Sequence, residues 1–307
     1  MSESRIEPNG VLIIDKPEGI TSHDVVGRIR KLYGTRKVGH TGTLDPLATG
    51  VLVILLGRAA KAAEYLVADR KTYIASMKLG ITTDTEDITG KILTRCDDIP
   101  SGEQVRVACG GFLGKIKQIP PMYSALKVGG KKLYDLAREG IEIEREARDI
   151  EIFRLECTPT ESGDEYKLLV ECSSGTYIRT LCADIGASLS CGGVMSTLRR
   201  TRAGGFDIDK AHTLEELEAL EMSERYALLA PTESLFEELP RVALPAFYEK
   251  LCRSGCEIYQ KKIKTAYPVG QRVRICSHGG AFFALGEVRE YENGTAVKAL
   301  KIFDLGE

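Results

Sequence analysis

The chain has 307 residues, 43% hydrophobic and 28% charged, with a formal net charge of -2. It is longer than one ordinary domain and sits near the globular norm, which excludes collagenous, mucin-like and largely disordered chains. The longest apolar run, Val51–Leu56, falls far short of the ~20 residues a membrane helix needs, and the N-terminal MSESRIEPNG has no signal-peptide pattern.

In chain order, Val11–Ile14 is an apolar run that ends at Lys16-Pro17, so a buried strand entering a turn. Ser22 is the expected N-cap of a helix carrying Val25, Val26, Ile29 and Leu32 at helical spacing. Residues 37–50 read as a loop rich in Gly and Thr. Val51–Leu56 is a buried strand, and Ala59–Ala68 a helix on its alanine content. Lys71–Leu79 alternates as a strand, with Tyr73, Ala75 and Met77 on one face. A polar turn follows at Thr83–Gly90. Gln104–Phe112 reads as a helix broken by Ile119-Pro120-Pro121. Tyr123–Val128 reads as a strand, Gly129-Gly130 as a hairpin turn and Leu133–Arg138 as a helix. Ala147–Pro159 and Tyr166–Cys172 pair as strands. Tyr177–Leu189 and Leu214–Leu220 are helices, the second inside an acidic stretch ending at Glu238.

From about Pro240 the composition changes to short strands, Gly turns and aromatics, with strands at Arg272–Ile275, Phe282–Leu285 and Ala296–Ile302 and an ordinary hairpin turn at Asn293-Gly294-Thr295. That pattern fits a small β-barrel. The fold class is α+β: a large mixed or antiparallel sheet with helices between its strands, then the small barrel. Nine cysteines are scattered without a CxxC pair, and the four histidines make no ligand-like pair. Reduced thiols in a cytoplasmic protein are therefore expected, without a metal site. Basic residues concentrate at 28–37, 115–132, 199–202 and 250–274, so basic surfaces can exist within a near-neutral sum.

The most unusual segment is GHTGTLDPLATG, residues 39–50. It lacks the Gly-Lys-Ser/Thr ending of a Walker loop. What remains is a constrained loop presenting Asp45, which Pro46 biases toward an extended backbone. Asp45 is either a cap or a functional carboxylate. Arg179, after the turn at Ser174-Gly175-Thr176, is either a surface charge or the partner of a buried carboxylate. Tyr73 and Leu198 read singly as core residues, and Lys16 as the end of a strand.

The ordered combination decides between these readings. VLIIDKPEGITS from Val11, GHTGTLDPLATGVL from Gly39, Lys71-Thr72-Tyr73, TDTEDITG from Thr83, PPMYSALK from Pro120, SGTYIR from Ser174 and Leu198-Arg199-Arg200 together resemble the bacterial tRNA pseudouridine-55 synthases, the TruB family. The resemblance runs from about residue 9 to 240. Departures are small: Val53 and Gly205 stand where the family pattern has Pro.

The resemblance implies isomerisation of one T-loop uridine of tRNA to pseudouridine, without cofactor or metal. It implies Asp45 as the essential carboxylate, and leaves open whether Asp45 attacks the sugar, adds to the base or abstracts a sugar proton. An ionised carboxylate in a mostly closed pocket needs a cation to offset the cost of its burial, and Arg179 matches the family's Arg. Tyr73 would stack on the flipped uracil, with Leu198 as an apolar wall and Tyr177 helping to hold the base. His40 would fill the space left by the nucleotides. Lys16 would take a structural or phosphate role, and Asp87 would order the cleft or touch RNA. Phosphate contacts are expected from Lys127, Lys131, Lys132, Arg200 and Arg202.

The implied organisation is a catalytic domain over 1–238, with an RNA-clamping insertion at about 115–148, and a PUA-like module over 239–307 facing the acceptor stem. A monomer with no obligatory protein partner and no membrane association is expected. Two other readings stay open on the residues: a protein that mainly clamps and remodels the T-arm, and a guide-dependent relative acting on rRNA.

Overall fold

The structure, a computed structural model, describes residues 7–66, 70–124 and 126–304. In chain order the first elements are β1 (Gly10–Lys16), α1 (Ser22–Leu32), β2 (Val38–Thr41), β3 (Thr49–Leu56), β4 (Lys71–Leu79), β5 (Ile81–Thr83), β6 (Ile92–Arg95) and α2 (Gly102–Gly110). Then come β7 (Gly114–Gln118), β8 (Lys127–Val128), β9 (Lys131–Lys132), α3 (Leu133–Arg138), β10 (Arg148–Pro159), β11 (Glu165–Cys172), α4 (Ile178–Ser188), β12 (Gly193–Ala203) and β13 (Phe206–Asp207). The chain finishes with α5 (Leu214–Ala219), α6 (Met222–Ala227), β14 (Arg241–Ala243), α7 (Ala246–Arg253), β15 (Ile258–Tyr259), α8 (Gln260–Ile263), β16 (Arg272–Cys276), β17 (Phe282–Tyr291) and β18 (Gly294–Ile302).

The main sheet has nine strands, seven in the order β1-β3-β12-β4-β11-β10-β7, with β2 on β3 and β13 on β12. Every pairing in it is antiparallel except β12 with β3. Strand β3 is an unbroken apolar run because both its faces are covered. Leu52, Ile54 and Leu56 enter the large core under α1, α2 and α4, while Val51, Val53 and Leu55 enter a second core on the other face. Each fully buried aliphatic side chain of this kind contributes ~1.5–3 kcal/mol. Strand β4 is covered on one face only. Tyr73, Ala75 and Met77 point into the large core, as the alternation predicts.

The second sheet has the order β14-β16-β17-β18-β15 and curls around its own core of Val242, Ile258, Val273, Ile275, Phe283, Val288 and Val297. Where a small β-barrel is expected, the ladder is a curled open sheet, with β14 and β15 as its two ends and not paired with each other. The curled sheet rests on residues 57–65 through Ala62, Phe236, Leu285 and Phe303, and through Arg272, which donates to the Tyr65 carbonyl at 3.0 Å. The nine cysteines are free thiols. Among the described residues no helix is long and apolar enough to cross a membrane.

Four local expectations change. The N-cap of α1 is Thr21, in a capping box with Asp24, and Ser22 turns inward instead. Residues 38–41 are a strand, so the loop of 37–50 shrinks to 42–48. Gly57–Tyr65 is a 3₁₀ helix rather than the expected α-helix, with Ala59 facing one core and Ala62 another at i+3; Val67 and Ala68 lie outside the described residues. Among the described residues of Tyr123–Val128, strand is found at Lys127–Val128, and the Tyr123 carbonyl is held by Arg179 instead of by a ladder. The hairpin at Gly129-Gly130 and the helix Leu133–Arg138 are as expected.

Candidate active site

The site forms where the main sheet forks. The start of β3 pairs with β12 (Thr49 with Arg199, Gly50 with Arg200), while its end pairs with β2 (Val53 with Thr41 through Leu56 with Val38). Strands β2 and β12 thus share one edge of β3 and diverge, and the 42–48 loop lies between them. Gly50 makes the close approach practicable. Its φ is +101°, and a Cβ there would lie 2.1 Å from the Arg200 carbonyl oxygen.

The loop is fixed from four directions. The Ser22 hydroxyl donates to the Leu44 carbonyl (3.0 Å) and accepts from the Leu44 N–H (2.8 Å). The fully buried Arg200 donates to the carbonyls of Val51 (2.7 Å), Gly42 (3.0 Å) and Thr43 (3.5 Å). The Gly19 N–H donates to the Pro46 carbonyl at 2.9 Å. The Lys16 ammonium donates to Pro17 (2.7 Å), Ile20 (2.8 Å) and Pro46 (3.4 Å) carbonyls. Asp45 is therefore presented by a loop with little freedom of its own.

Asp45 meets Arg179 of α4, with Oδ2 2.9 Å from Nε. The carboxylate is 40% exposed and the guanidinium only 5%. The other nitrogens of Arg179 donate to the carbonyls of Thr85 (3.0 Å) and Tyr123 (2.8 Å), and Asp87 stands 4.0 Å away. One buried cation thus reads three chain segments and aims at a carboxylate open to solvent. Such geometry is what a charge-assisted pair needs to hold orientation as well as charge.

Around this pair, Tyr73 is 7% exposed and lies opposite Arg200 and Val170 in the sheet. Burial pushes its pKa up, with the Arg200 guanidinium pulling the other way. Leu198, two pairs before Arg200 on β12, faces Ala75 across the ladder. Tyr177 is half-buried at the start of α4, and burial raises its pKa. His40 on β2 is half-buried, with Nδ1 buried and without a partner. Burial, Arg200 and His23 lower its pKa, so it is neutral near pH 7. The structure therefore brings Asp45, Arg179, Tyr73 and Tyr177 together, with His40 on β2 and Leu198 on β12, the two strands that flank the loop.

Four of the expected contact residues are placed otherwise. Arg200 is fully buried under the loop and positions it, so it has no surface to offer a phosphate. Arg202 lies on the opposite face of the sheet. A bulge between Arg200 and Arg202 pairs these residues with Tyr73 and Thr72, which puts two arginines of ordinary alternation on opposite sides. Arg202 there meets Asp207 at 3.5 Å. Asp87 is buried in its own turn, accepting from the Thr85 hydroxyl (2.8 Å), the Thr89 N–H (3.0 Å) and the Thr89 hydroxyl (2.6 Å). These bonds spend the carboxylate on ordering the turn beside Arg179.

Lys16 is the fourth. It is fully buried, which brings its pKa from 10.5 down to about 8 against the pull of Asp45. This leaves the structural role and removes phosphate contact. The folded pKa lies below the unfolded one, so between about 8 and 10.5 the unfolded chain binds the extra proton. The contribution of Lys16 to stability therefore grows as pH rises through that window. The difference in Tm between wild type and Lys16→Met is expected to widen from about pH 8 to about pH 10. Thermal melts at constant ionic strength measure it, and a difference that stays flat counts against the depressed amine.

The insertion carries Lys131, exposed on β9; the side chains of Lys127 and Lys132 lie outside the described residues. Of the basic stretch 250–274, Lys250, Lys261, Lys262 and Lys264 are exposed. Arg253, Arg272 and Arg274 are bonded within the protein. Sequence reading missed Ser22 and Gln118, whose buried amide bonds the Tyr177 backbone. It also missed Arg148, exposed next to Tyr177. No local signal marks Ser22 or Gln118, because their partners lie 22 and 59 residues away. Among the described residues no three His, Cys, Asp or Glu side chains converge as a metal site would require.

Comparison with known proteins places this geometry. Residues 30–178 match the model of the TruB family pseudouridylate synthase N-terminal domain, and residues 179–237 that of the tRNA pseudouridylate synthase B C-terminal domain. The division falls inside α4, so it divides the sequence and not the main sheet, to which β12 still belongs. The chain is 48% identical over 305 residues to a tRNA pseudouridine synthase B of Syntrophotalea carbinolica, covering 97% of this chain and 99% of that one. It is 46% identical over 298 residues to one of Alkaliphilus oremlandii, covering 96% and 98%. Among solved structures, a chain of a Cbf5-Nop10-Gar1 complex superposes with a TM-score of 0.74 at 29% identity, covering 97% of this chain and 85% of that one. One from an H/ACA RNP bound to a substrate RNA containing 2′-deoxyuridine gives 0.71 at 26%, covering 97% and 86%. With near-complete coverage at this identity, and with the Asp45–Arg179 pair at the fork of the sheet, the chain belongs to the TruB family of pseudouridylate synthases.

Proposed function

We propose that the protein converts the uridine at position 55 of the tRNA T-loop to pseudouridine. The observation that carries this reading is the Asp45–Arg179 pair: a solvent-reachable carboxylate on a rigid loop, oriented by a buried guanidinium. The reaction breaks the bond from C1′ to N1, turns the uracil and joins C1′ to C5. N1 gains a proton and C5 loses one, so substrate and product are isomers and no group is imported. One carboxylate suffices for attack at C1′, addition to the base or removal of a sugar proton, and each route needs it held as Arg179 holds it.

The target base must leave the T-loop, at a cost of a few kcal/mol. Stacking on Tyr73 offsets ~1–3 kcal/mol of this. Leu198 and Tyr177 wall the pocket, and neutral His40 occupies the space the extruded nucleotides leave. We read residues 1–238 as the catalytic domain and 239–307 as an RNA-binding module of the PUA kind, facing the acceptor stem with Lys250, Lys261, Lys262 and Lys264. The enzyme would act in the cytoplasm as a monomer without a protein partner.

The test is tritium release from [5-³H]uridine in an unmodified T-arm hairpin by the protein alone. Release supports the reading; tight binding without release supports a protein that remodels the T-arm.

Lys131 and Arg148 would contact phosphates. Lys131→Ala is then expected to lower the slope of log Kd against log salt by about 0.9, and to weaken binding alike for all T-arm sequences. Filter binding over a salt series measures it. An unchanged slope removes Lys131 from the RNA path.

A further inference from the structure

Gln118 is the last residue of β7, where the insertion leaves the main sheet. It is 2% exposed, and its side chain reaches across to the start of α4. Its amide nitrogen donates to the Tyr177 carbonyl (3.1 Å), and its amide oxygen accepts from the Tyr177 N–H (2.8 Å). The side chain thus replaces a strand residue, supplying the donor and acceptor that a backbone ladder would. Tyr177 precedes α4 as its N-cap and has no side-chain cap of its own. Two residues on stands Arg179.

The same incoming limb is tied to α4 a second time. Five residues after Gln118, the Tyr123 carbonyl accepts from Arg179 at 2.8 Å. Between them lie Pro120 and Pro121, whose fixed φ stiffens the bridge. Arg145, on the outgoing limb, donates to the Pro120 carbonyl at 3.0 Å. The base of the insertion therefore touches the start of α4 at Tyr177 and at Arg179, and Arg179 touches Asp45.

We propose that Gln118 is a positioning residue for the isomerisation: its two-point amide clamp makes the insertion base, Tyr177 and the Arg179–Asp45 pair move as one unit. This rests on the pseudouridine reading. It goes beyond it in assigning to a residue outside the pocket the alignment of the carboxylate with the bound nucleotide. Misplacement of a reacting group by about 1 Å costs on the order of 100-fold in rate, so the effect should fall on the chemical step.

The chemistry of the clamp supplies a specific test. A carboxamide both donates and accepts, whereas a carboxylate only accepts until it is protonated. In Gln118→Glu the ionised carboxyl still takes the Tyr177 N–H but faces the Tyr177 carbonyl without a proton. Burial and that carbonyl raise its pKa, so acid restores the missing donor.

Single-turnover tritium release from the T-arm hairpin is measured for wild type, Gln118→Leu and Gln118→Glu, with Kd from filter binding. Gln118→Leu is expected to lower the rate constant by about 30-fold, with Kd changed by less than about threefold. Gln118→Glu should lose a similar factor at about pH 8 and recover at least about tenfold, relative to wild type, at about pH 6. A rate constant unchanged in both variants overturns the proposal. So does a loss confined to Kd, or a pH profile of Gln118→Glu parallel to wild type. Absence of release by wild type itself overturns the pseudouridine reading, and the positioning role with it.

Discussion

Asp45→Asn is expected to reduce pseudouridine formation by more than about 10³-fold while T-arm affinity changes by less than about twofold. The amide is isosteric and can still accept from Arg179 Nε, so the loop geometry should persist. Ser22, Arg200, Lys16 and Gly19 hold that loop through its backbone and do not depend on the Asp45 side chain. What disappears is the anionic oxygen that the proposed reaction requires. Tritium release at saturating hairpin measures the first quantity and filter binding the second. Residual release within about tenfold of wild type would remove Asp45 from the chemistry. A parallel collapse of affinity would make Asp45 a binding residue instead.

Arg179 carries the second large effect, and there activity and stability fall together. Arg179→Met leaves the Thr85 and Tyr123 carbonyls without their donors, and Asp45 and the buried Asp87 without a cation. Asp45 can turn to solvent, but Asp87 is left buried without its cation, which places the cost near the lower end of the range for a broken buried pair, about 3 kcal/mol. For a chain of this size that lowers Tm by on the order of 10 °C. Activity should fall at least as far as in Asp45→Asn, because the carboxylate loses both its orientation and its counter-charge. Arg179→Lys separates these contributions. Lysine keeps the charge but cannot point three donors along the fixed directions of a guanidinium. It is expected to recover part of the lost Tm and little of the lost rate. Calorimetry and single-turnover release measure the two. Full activity in Arg179→Lys would show that charge alone suffices.

Both expectations rest on a site whose parts differ in how openly the chain displays them. The strands β3, β4, β10 and β11 and the helices α1 and α4 can be read from local pattern, since burial imposes an unbroken apolar run on a strand covered on both faces, a period of two on a half-covered strand and near 3.6 on a helix. The Gly129-Gly130 turn follows from composition in the same way. Asp45 and Arg179 stand out through the order of seven motifs. Nothing in their immediate surroundings distinguishes a catalytic carboxylate from a helix cap, or its partner from a surface arginine.

The chain by itself determined the α+β class, the elements named above and the family, because these depend on side-chain periodicity, turn chemistry and motif order within short windows. Tertiary structure alone decided which residues meet. Arg200 and Arg202 differ by two positions and look equivalent on an alternating strand, yet one bulge in β12 buries the first beneath Asp45 and turns the second to the far face. Ser22 fits an N-cap until its hydroxyl is seen bonded to Leu44, and Gln118 fits the end of a strand until its amide is seen on Tyr177. The physical reason is the same in each case. A hydrogen bond between groups 22, 59 or 158 residues apart depends on register, bulge and strand order, which long-range packing sets and no local window contains.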